Sequence, residues 1–427
     1  MPKKRQKELF QPAKGTFDIL PEDEWYWDKI YKAASKAADV YGFGKIETPI
    51  FENTNLFLRS VGETTDIAEK QMYSFKTRGG DALTLRPEGT APISRAFISN
   101  GLFELPQPLK LWYWGPFFRH ESPQHLRYRE FHQFGFEIFG DRDSVYDALI
   151  IQIFANILKE LGWADFVVEI NSVGCQTCRP DFRRLLLNYY RSRQRLLCKD
   201  CKRRFVSNPL RLLDCKEEKC AELKSRAPQI IDHLCSACRP HFKSTLEFLD
   251  DLEIPYMLNP HLVRGLDYYS KTVFEFVSTS KEDKMAIASG GRYDNLVELL
   301  GGKSAPAVGG AAGIERLIAS LKEIGVQPEP KENPKVFVVQ LGSLAKRKSL
   351  SLIEDLRKAE ITFAESLGRD SIKAQLKIAD RLKAQLALII GQKESLDNTI
   401  IIREMDSGNQ ETVTRAKIID RLKKRLS

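Results

Sequence analysis

All eight cysteines of this 427-residue chain fall between Cys175 and Cys238, and the long stretches on either side have none. They form the pairs Cys175-x2-Cys178, Cys198-x2-Cys201, Cys215-x4-Cys220 and Cys235-x2-Cys238. Clustering of this kind in a large chain argues against a disulfide framework and for metal-binding thiolates. Two tetrathiolate zinc sites would use all eight; reduced structural thiols are the other reading. The spacing leaves open which pairs would share an ion. The stretch is also rich in Arg and Lys, and reads as an inserted module.

The rest of the chain is ordinary enough to fold around packed cores. Hydrophobic residues make up 42% and aromatics 10%, which excludes a disordered chain. Apolar runs such as Leu386–Ile390 fall far short of the ~20 residues a membrane span needs. Met1-Pro2-Lys3-Lys4-Arg5-Gln6-Lys7 is basic with no apolar segment behind it, so no secretory signal is expected. A cytoplasmic location with no membrane partner is the expectation. Net charge is +9. Lys335–Ser427 alone holds 19 basic and 12 acidic residues, which suggests a polyanion partner for that end.

Pro21-Glu22-Asp23-Glu24 ahead of Trp25, Ile30, Tyr31, Ala34, Ala38 and Tyr41 reads as an amphipathic helix with acidic residues in its first turn, stopped by Gly42. Ser144 with Asp147 reads as a capping box opening a helix Val145–Leu161, ended by Gly162. Strand-like runs are Lys110–Trp114, Phe117–Glu121, Glu130–Phe139, Thr272–Val277 and a stretch near Ala305–Gly309. Pro328–Pro334 is a linker by composition. Beyond it the spacing predicts strands at Val336–Gln340, Thr362–Ala364, Leu386–Ile390 and Thr399–Arg403. Helices are predicted at Ser349–Ala359, Ser371–Lys383 and Thr414–Arg425. Such alternation indicates an α/β layered domain.

Residues on a strand alternate faces. In Glu130–Phe139 one face carries His132, Phe134, Phe136 and Ile138. The other carries Phe131, Gln133, Gly135, Glu137 and Phe139. A glycine between a glutamine and a glutamate leaves a space flanked by two polar side chains, which suits a small polar ligand. Phe117–Glu121 would pair with this strand as a long hairpin, with Arg127 and Arg129 where the loop returns. Arg119 and Glu121 share a face. Arginine in such a hairpin suits a phosphate, because its planar fork makes charge-assisted bonds to the oxygens.

Phe118-Arg119-His120-Glu121 with Arg127-Tyr128-Arg129-Glu130-Phe131-His132-Gln133 resembles motif 2 of class II aminoacyl-tRNA synthetases in its histidyl form. Thr48-Pro49-Ile50-Phe51-Glu52 resembles motif 1, the dimer-forming segment. Arg86-Pro87-Glu88-Gly89-Thr90 resembles the amino-acid-binding turn. Leu262-Val263-Arg264-Gly265-Leu266-Asp267-Tyr268-Tyr269 and Ala288-Ser289-Gly290-Gly291-Arg292-Tyr293-Asp294 resemble the two histidyl signatures. Gly309-Gly310-Ala311-Ala312-Gly313-Ile314-Glu315-Arg316 resembles motif 3. Ser371–Lys377 lies in a segment that resembles the anticodon-binding domain. The resemblance covers nearly the whole chain.

The resemblance implies a class II antiparallel β-sheet flanked by helices, an inserted small helical Cys-rich module and a C-terminal α/β anticodon-binding domain. The expected boundaries are 1–172 and 259–327 for the catalytic core, 173–258 for the module, 328–334 for the linker and 335–427 for the anticodon domain. It also implies ATP, with Mg2+, as substrate, together with L-histidine and tRNA(His), and a homodimer. Arg119 would hold the α-phosphate and the substrate carboxylate, and Arg264 would add a second positive charge there. Glu121 and Arg127 would fix the adenine end and γ-phosphate of a bent ATP. Arg316 would hold the γ-phosphate, where the small-residue run Gly309–Gly313 enters a helix. Glu88, beside Gly89 and with Thr90 and Gln133, would take the substrate ammonium. Glu137 and Tyr269 would meet the imidazole nitrogens, with Tyr268 and Tyr293 lining the site. Glu137 accepting from the imidazole N–H and a phenol hydroxyl meeting the other nitrogen would match a neutral imidazole.

The six histidines show no His-x-x-x-His spacing, and no nucleophile-and-base constellation is visible. That fits catalysis by positioning and charge stabilisation. For tRNA, the resemblance implies contacts from the C-terminal domain, from loop Ser122–Leu126 and from the module; the tail Lys3–Lys7 would add only nonspecific attraction. The alternatives are a non-catalytic paralogue serving as regulatory subunit of ATP phosphoribosyltransferase, and a tRNA-sensing module. Such paralogues typically lose the first-signature arginine, motif 3 and the C-terminal domain, all of which are present here; intact Arg119, Arg264 and Arg316 argue against the sensor.

Overall fold

The computed structural model describes residues 10–62, 65–121, 125–279, 285–328 and 333–426. The tail Lys3–Lys7, loop residues 122–124, the charged stretch 281–284 and linker residues 329–332 lie outside them. The chain divides into two compact units, Met1–Pro328 and Glu329–Ser427.

In the first unit the elements run α1 (Glu24–Tyr41), β1 (Gly44–Lys45), β2 (Phe51–Asn53), α2 (Thr54–Val61), β3 (Ser74–Lys76), β4 (Ala82–Leu85), α3 (Thr90–Ser99), β5 (Leu109–Phe118), β6 (Glu130–Phe139), α4 (Val145–Glu160) and β7 (Phe166–Ser172). After β7 come the helices α5 (Cys178–Arg191), α6 (Lys199–Ser207), α7 (Glu218–Ser225) and α8 (Cys238–Asp251). The chain then returns through β8 (Tyr256–Leu258), β9 (Ser270–Ser278), β10 (Ala288–Arg292), α9 (Leu296–Leu299), β11 (Ala307–Gly313) and α10 (Ile314–Glu323).

Among the described residues the main sheet has eight strands, in the order β1-β5-β6-β11-β10-β9-β7-β8. Its six central strands are antiparallel; the short edge strands β1 and β8 pair in parallel. A separate three-stranded antiparallel sheet has the order β2-β4-β3.

Helix α1 forms as predicted, and Gly42 ends it at φ 73°, a left-handed backbone that suits glycine. The capping box at Ser144 does not form. Ser144 makes no side-chain cap and Asp143 Oδ1 accepts from the Val145 N–H at 2.9 Å instead. Asp147 is buried and engaged by Arg292, so it is not available to reach back. The two runs Lys110–Trp114 and Phe117–Glu121 are one continuous strand, β5, ending at Phe118. Pro116 sits inside it opposite His132. A proline is tolerated there because β1 pairs only with Leu111 and Trp112, leaving no ladder partner on that side.

The sheet buries its aromatic face. Phe134 stacks on Trp114 and Phe136 on Trp112, with Phe154 of α4 packed across both phenylalanines. The module shares this core: Phe182, Leu186, Tyr190 and Phe242 join the same buried cluster as the sheet.

The second unit contains β12 (Val336–Gln340), α11 (Ser343–Lys358), β13 (Phe363–Glu365), α12 (Ile372–Arg381), β14 (Leu386–Ile390), α13 (Gln392–Asp397), β15 (Thr399–Glu404), β16 (Gln410–Thr414) and α14 (Ile418–Leu426). The sheet order is β13-β12-β14-β15-β16, the first three parallel and the last two pairs antiparallel. The α/β layering is as predicted, with four differences. Helix α11 begins six residues before Ser349, α13 was not predicted, and the predicted helix from Thr414 begins only at Ile418. The Gln410–Thr414 run is a strand because its alternating residues pair with β15, from Gln410 opposite Arg403 to Thr414 opposite Thr399.

Candidate active site

The face of the main sheet opposite the aromatic core is built from small residues in cross-strand rows. Tyr113, Gly135, Ala311, Ser289 and Glu275 lie side by side across β5, β6, β11, β10 and β9. The next row is Leu111, Glu137, Gly309, Gly291 and Val273. Glycine and alanine at the centre let side chains from surrounding loops lie flat on the sheet.

Each glycine has an identifiable occupant. A Cβ on Gly309 would collide with the Glu137 carboxylate. One on Gly135 would stand 2.5 Å from the Tyr113 ring, and one on Gly89 would stand 2.6 Å from it. The space expected over Gly135 is therefore filled by Tyr113, a residue the sequence reading did not single out. A glycine in mid-strand was the available signal that something large lies over it. The run Gly309–Gly313 is the end of strand β11 and leads directly into α10, as expected, placing Arg316 in the helix's first turn.

One group of side chains is buried and closed on itself. Glu137 is fully buried, accepting from Thr90 Oγ1 at 2.8 Å and from the Tyr293 hydroxyl. Burial without a contacting cation raises its pKa to about 8, with the Glu88 carboxylate adding to the rise. Glu88 accepts from the backbone N–H groups of Thr90 at 2.7 Å and Ala91 at 2.8 Å, capping α3, and from Tyr268 at 3.2 Å. Burial raises its pKa too, against those N–H bonds. The rings of Tyr268 and Tyr269 are 4.7 Å apart and those of Tyr268 and Tyr293 are 5.7 Å apart.

Beside this group lies an open cleft lined by Arg119, Glu121, Arg127, Gln133, Arg264 and Arg316, among others. Arg119 Nε donates to the Pro87 carbonyl at 2.9 Å, and its guanidinium lies over Phe131. Arg127 stands 3.7 Å from Glu121. Arg316 donates to the Ala286 carbonyl at 2.9 Å. Its pKa is lowered by burial and by the like charges of Arg119 and Arg127, against the carboxylates of Glu121 and Glu275. Arg264 pairs with Glu275 and donates to Ser289 Oγ at 2.8 Å. Glu275 and Ser289 face each other across β9 and β10. Neither was singled out from the sequence, since a polar residue on an alternating strand carries no special mark. The structure thus brings together all the candidate residues of the catalytic core, in two adjoining groups.

The cysteines form two further groups: Cys175, Cys178, Cys235 and Cys238, and Cys198, Cys201, Cys215 and Cys220. Within each, all four Sγ atoms lie within 4.8 Å of one another. Cys175 is 3.8 Å from both Cys178 and Cys235, and Cys198 is 3.8 Å from Cys215. Tetrahedral zinc with Zn–S near 2.3 Å requires sulfur separations of about 3.8 Å. Backbone N–H groups point at the sulfurs, as from Cys235 to Cys178 at 3.2 Å and from Cys201 to Cys198 at 3.4 Å. The donor set fits zinc, and the pairing that spacing left open is nested: the outer group encloses the inner one in the chain.

Comparison with known proteins places this arrangement. The family model described as histidyl-tRNA synthetase matches residues 15–177 and 206–317. The chain belongs to the histidyl-tRNA synthetase family. A second model, an anticodon binding domain, matches 335–425. A histidine–tRNA ligase of Dehalococcoides mccartyi is 44% identical over 418 residues, covering 98% of this chain and all of that one. The apo histidyl-tRNA synthetase of S. aureus superposes with a TM-score of 0.79 at 35% identity, over 97% of this chain and all of that one. A Bacillus halodurans structure titled as an ATP phosphoribosyltransferase regulatory subunit/histidyl-tRNA synthetase reaches 0.62 at 22% identity, over 90% of this chain and 99% of its own, and shares the fold. The synthetase family model skips residues 178–205, which hold Cys178, Cys198 and Cys201.

Proposed function

We propose that the chain joins L-histidine to tRNA(His) through a histidyl-adenylate, consuming ATP and releasing pyrophosphate and then AMP. The observation that carries this is the meeting of Arg119, Arg264 and Arg316 around one cleft beside the buried Glu88–Glu137–tyrosine group. These arginines come from the end of β5, the first signature loop and the first turn of α10. In the first step a substrate carboxylate oxygen attacks the α-phosphorus and pyrophosphate leaves. Fixed guanidinium groups stabilise charge growing on the phosphoryl oxygens, and positioning supplies the rest.

In this reading Arg119 and Arg264 flank the α-phosphate, Arg119 also meeting the substrate carboxylate. Glu121 and Arg127 hold the adenine end and γ-phosphate, and Arg316 holds the γ-phosphate. Mg2+ travels with ATP. Glu88, Thr90 and Gln133 take the ammonium group, Gly89 giving the close backbone approach. Glu137 and Tyr269 meet the imidazole, enclosed by Tyr268 and Tyr293. Histidine-dependent exchange of pyrophosphate into ATP tests the whole reading; no exchange in the full-length protein would reject it. The regulatory-subunit alternative predicts that outcome, and no observation favours it.

Zinc in both tetrathiolate groups would stabilise the module at 173–258, and two zinc ions per chain in protein purified without chelator is the expected analysis. A homodimer is supported by Ile50, Phe51 and Phe75, which are apolar and exposed on or beside the β2-β4-β3 sheet; the dimeric mass in solution tests it. The C-terminal unit, with its excess of basic residues, would read the anticodon. No helix among the described residues is long and apolar enough to cross a membrane, and a cytoplasmic location completes the reading.

A further inference from the structure

Arg179 follows Cys178 directly in the first turn of α5 and takes no part in the chemistry above. Its Nε donates to the Val173 carbonyl at 3.1 Å, and its terminal nitrogen donates to the carbonyl of Tyr269. It therefore bridges the exit of β7 to the end of the first signature. The same place is tied twice more by backbone: Val173 N–H to Lys271 at 2.7 Å and Lys271 N–H to Gly174 at 2.9 Å. Cys178 and Arg179 both donate their N–H to the Cys175 carbonyl, at 3.1 and 3.0 Å, so Arg179 is fixed by the turn that carries two sulfurs of the outer group.

We propose that Arg179 is a positioning residue for histidine binding, carrying the geometry of the Cys175/Cys178/Cys235/Cys238 group into the backbone at Tyr269. The proposal rests on the reading that Tyr269 meets the imidazole. A lysine could reach one of the two carbonyls but could not bridge both as a planar fork does. Loss of the bridge frees the Tyr269 backbone while leaving the ATP contacts of Arg119, Arg127 and Arg316 untouched. A misplacement of about 1 Å, even one caused far from the chemistry, can cost an enzyme about 10²-fold.

The test is pyrophosphate exchange by full-length Arg179→Met and Arg179→Lys variants, with the KM for histidine and for ATP measured separately and zinc content determined. The expected result is a histidine KM raised roughly tenfold or more in Arg179→Met, with an ATP KM within about twofold of the parent. Arg179→Lys should fall between. A role in folding alone would lower the active fraction and leave both KM values in place; that result overturns the proposal. If Arg179→Met does not fold, Arg179→Lys decides, and an unchanged histidine KM in it overturns the proposal. Absence of exchange in the parent protein would instead remove the reading beneath it.

Discussion

Arg292 donates through Nε to Asp147 at 2.9 Å, and neither side chain is reached by solvent. A terminal N–H also goes to Asp147, and the rest go to Asp294 at 3.1 Å and to the carbonyls of Asp141 and Asp143 at 2.9 and 2.8 Å. The next residue is Tyr293, whose hydroxyl meets Glu137. The pair thus anchors the strand that delivers a site tyrosine. Removing one partner of a buried ion pair strands the other charge, so Arg292→Met should cost roughly 3–5 kcal/mol. The readout is the urea midpoint at unchanged slope. Adding Asp147→Leu should recover part of the loss; no recovery would mean that the stranded carboxylate is not the cause.

Glu137 gives a pH-dependent prediction. Its pKa is about 8 in the folded chain, against 4.5 ordinarily, because burial disfavours the charged form. Between those values the folded state holds a proton that the unfolded state has released. Stability therefore falls as pH rises through this window. Glu137→Gln cannot ionise, so its melting temperature relative to the parent should climb steadily from pH 5 to pH 8. Parallel melting profiles would show that Glu137 is ionised in the folded protein throughout.

Arg264→Ala should slow adenylation by about 10²–10³-fold, the loss typical of one preorganised charge-stabilising donor. Affinity for tRNA should hardly change. Exchange assays and tRNA binding on one preparation check this, since equal losses in both would point to misfolding.

The two glycines under Tyr113 should differ. The three atoms nearest a Cβ on Gly89 all belong to Tyr113, whereas one on Gly135 meets both Tyr113 and the Gly310 carbonyl, at 2.6 Å. Each alanine variant should be destabilised by roughly 1–3 kcal/mol. Adding Tyr113→Ala should relieve Gly89→Ala of its clash but leave Gly135→Ala still strained. Thermal melts of the four variants decide it.

Zinc content should drop by one ion per chain in Cys238→Ala and by one in Cys201→Ala, since each residue belongs to a different sulfur group. Loss of both ions from a single substitution would contradict separate sites.

Much of this was legible in the sequence because it follows from periodicity. Glu130–Phe139 is the predicted strand to the residue, and its polar face carries Gln133 and Glu137 as expected. What escaped was decided by non-local competition. Asp147 left its expected cap for Arg292, distant in sequence, and Tyr113 occupied the gap that Gly135 creates. Glu275 and Ser289 became partners of Arg264 only through the register of β9 on β10. The pairing of the cysteines likewise depends on where α5 and α8 begin, which spacing cannot fix.

The nested sulfur groups have a consequence for how this protein tolerates change. The outer four draw together the points where the chain departs from β7 and where it starts back along α8, so the root of the excursion is fastened independently of its tip. Change among the inner four sulfurs then leaves the root in place, with Arg179 keeping its hold on the backbone at Tyr269, just ahead of the strand that carries Glu275.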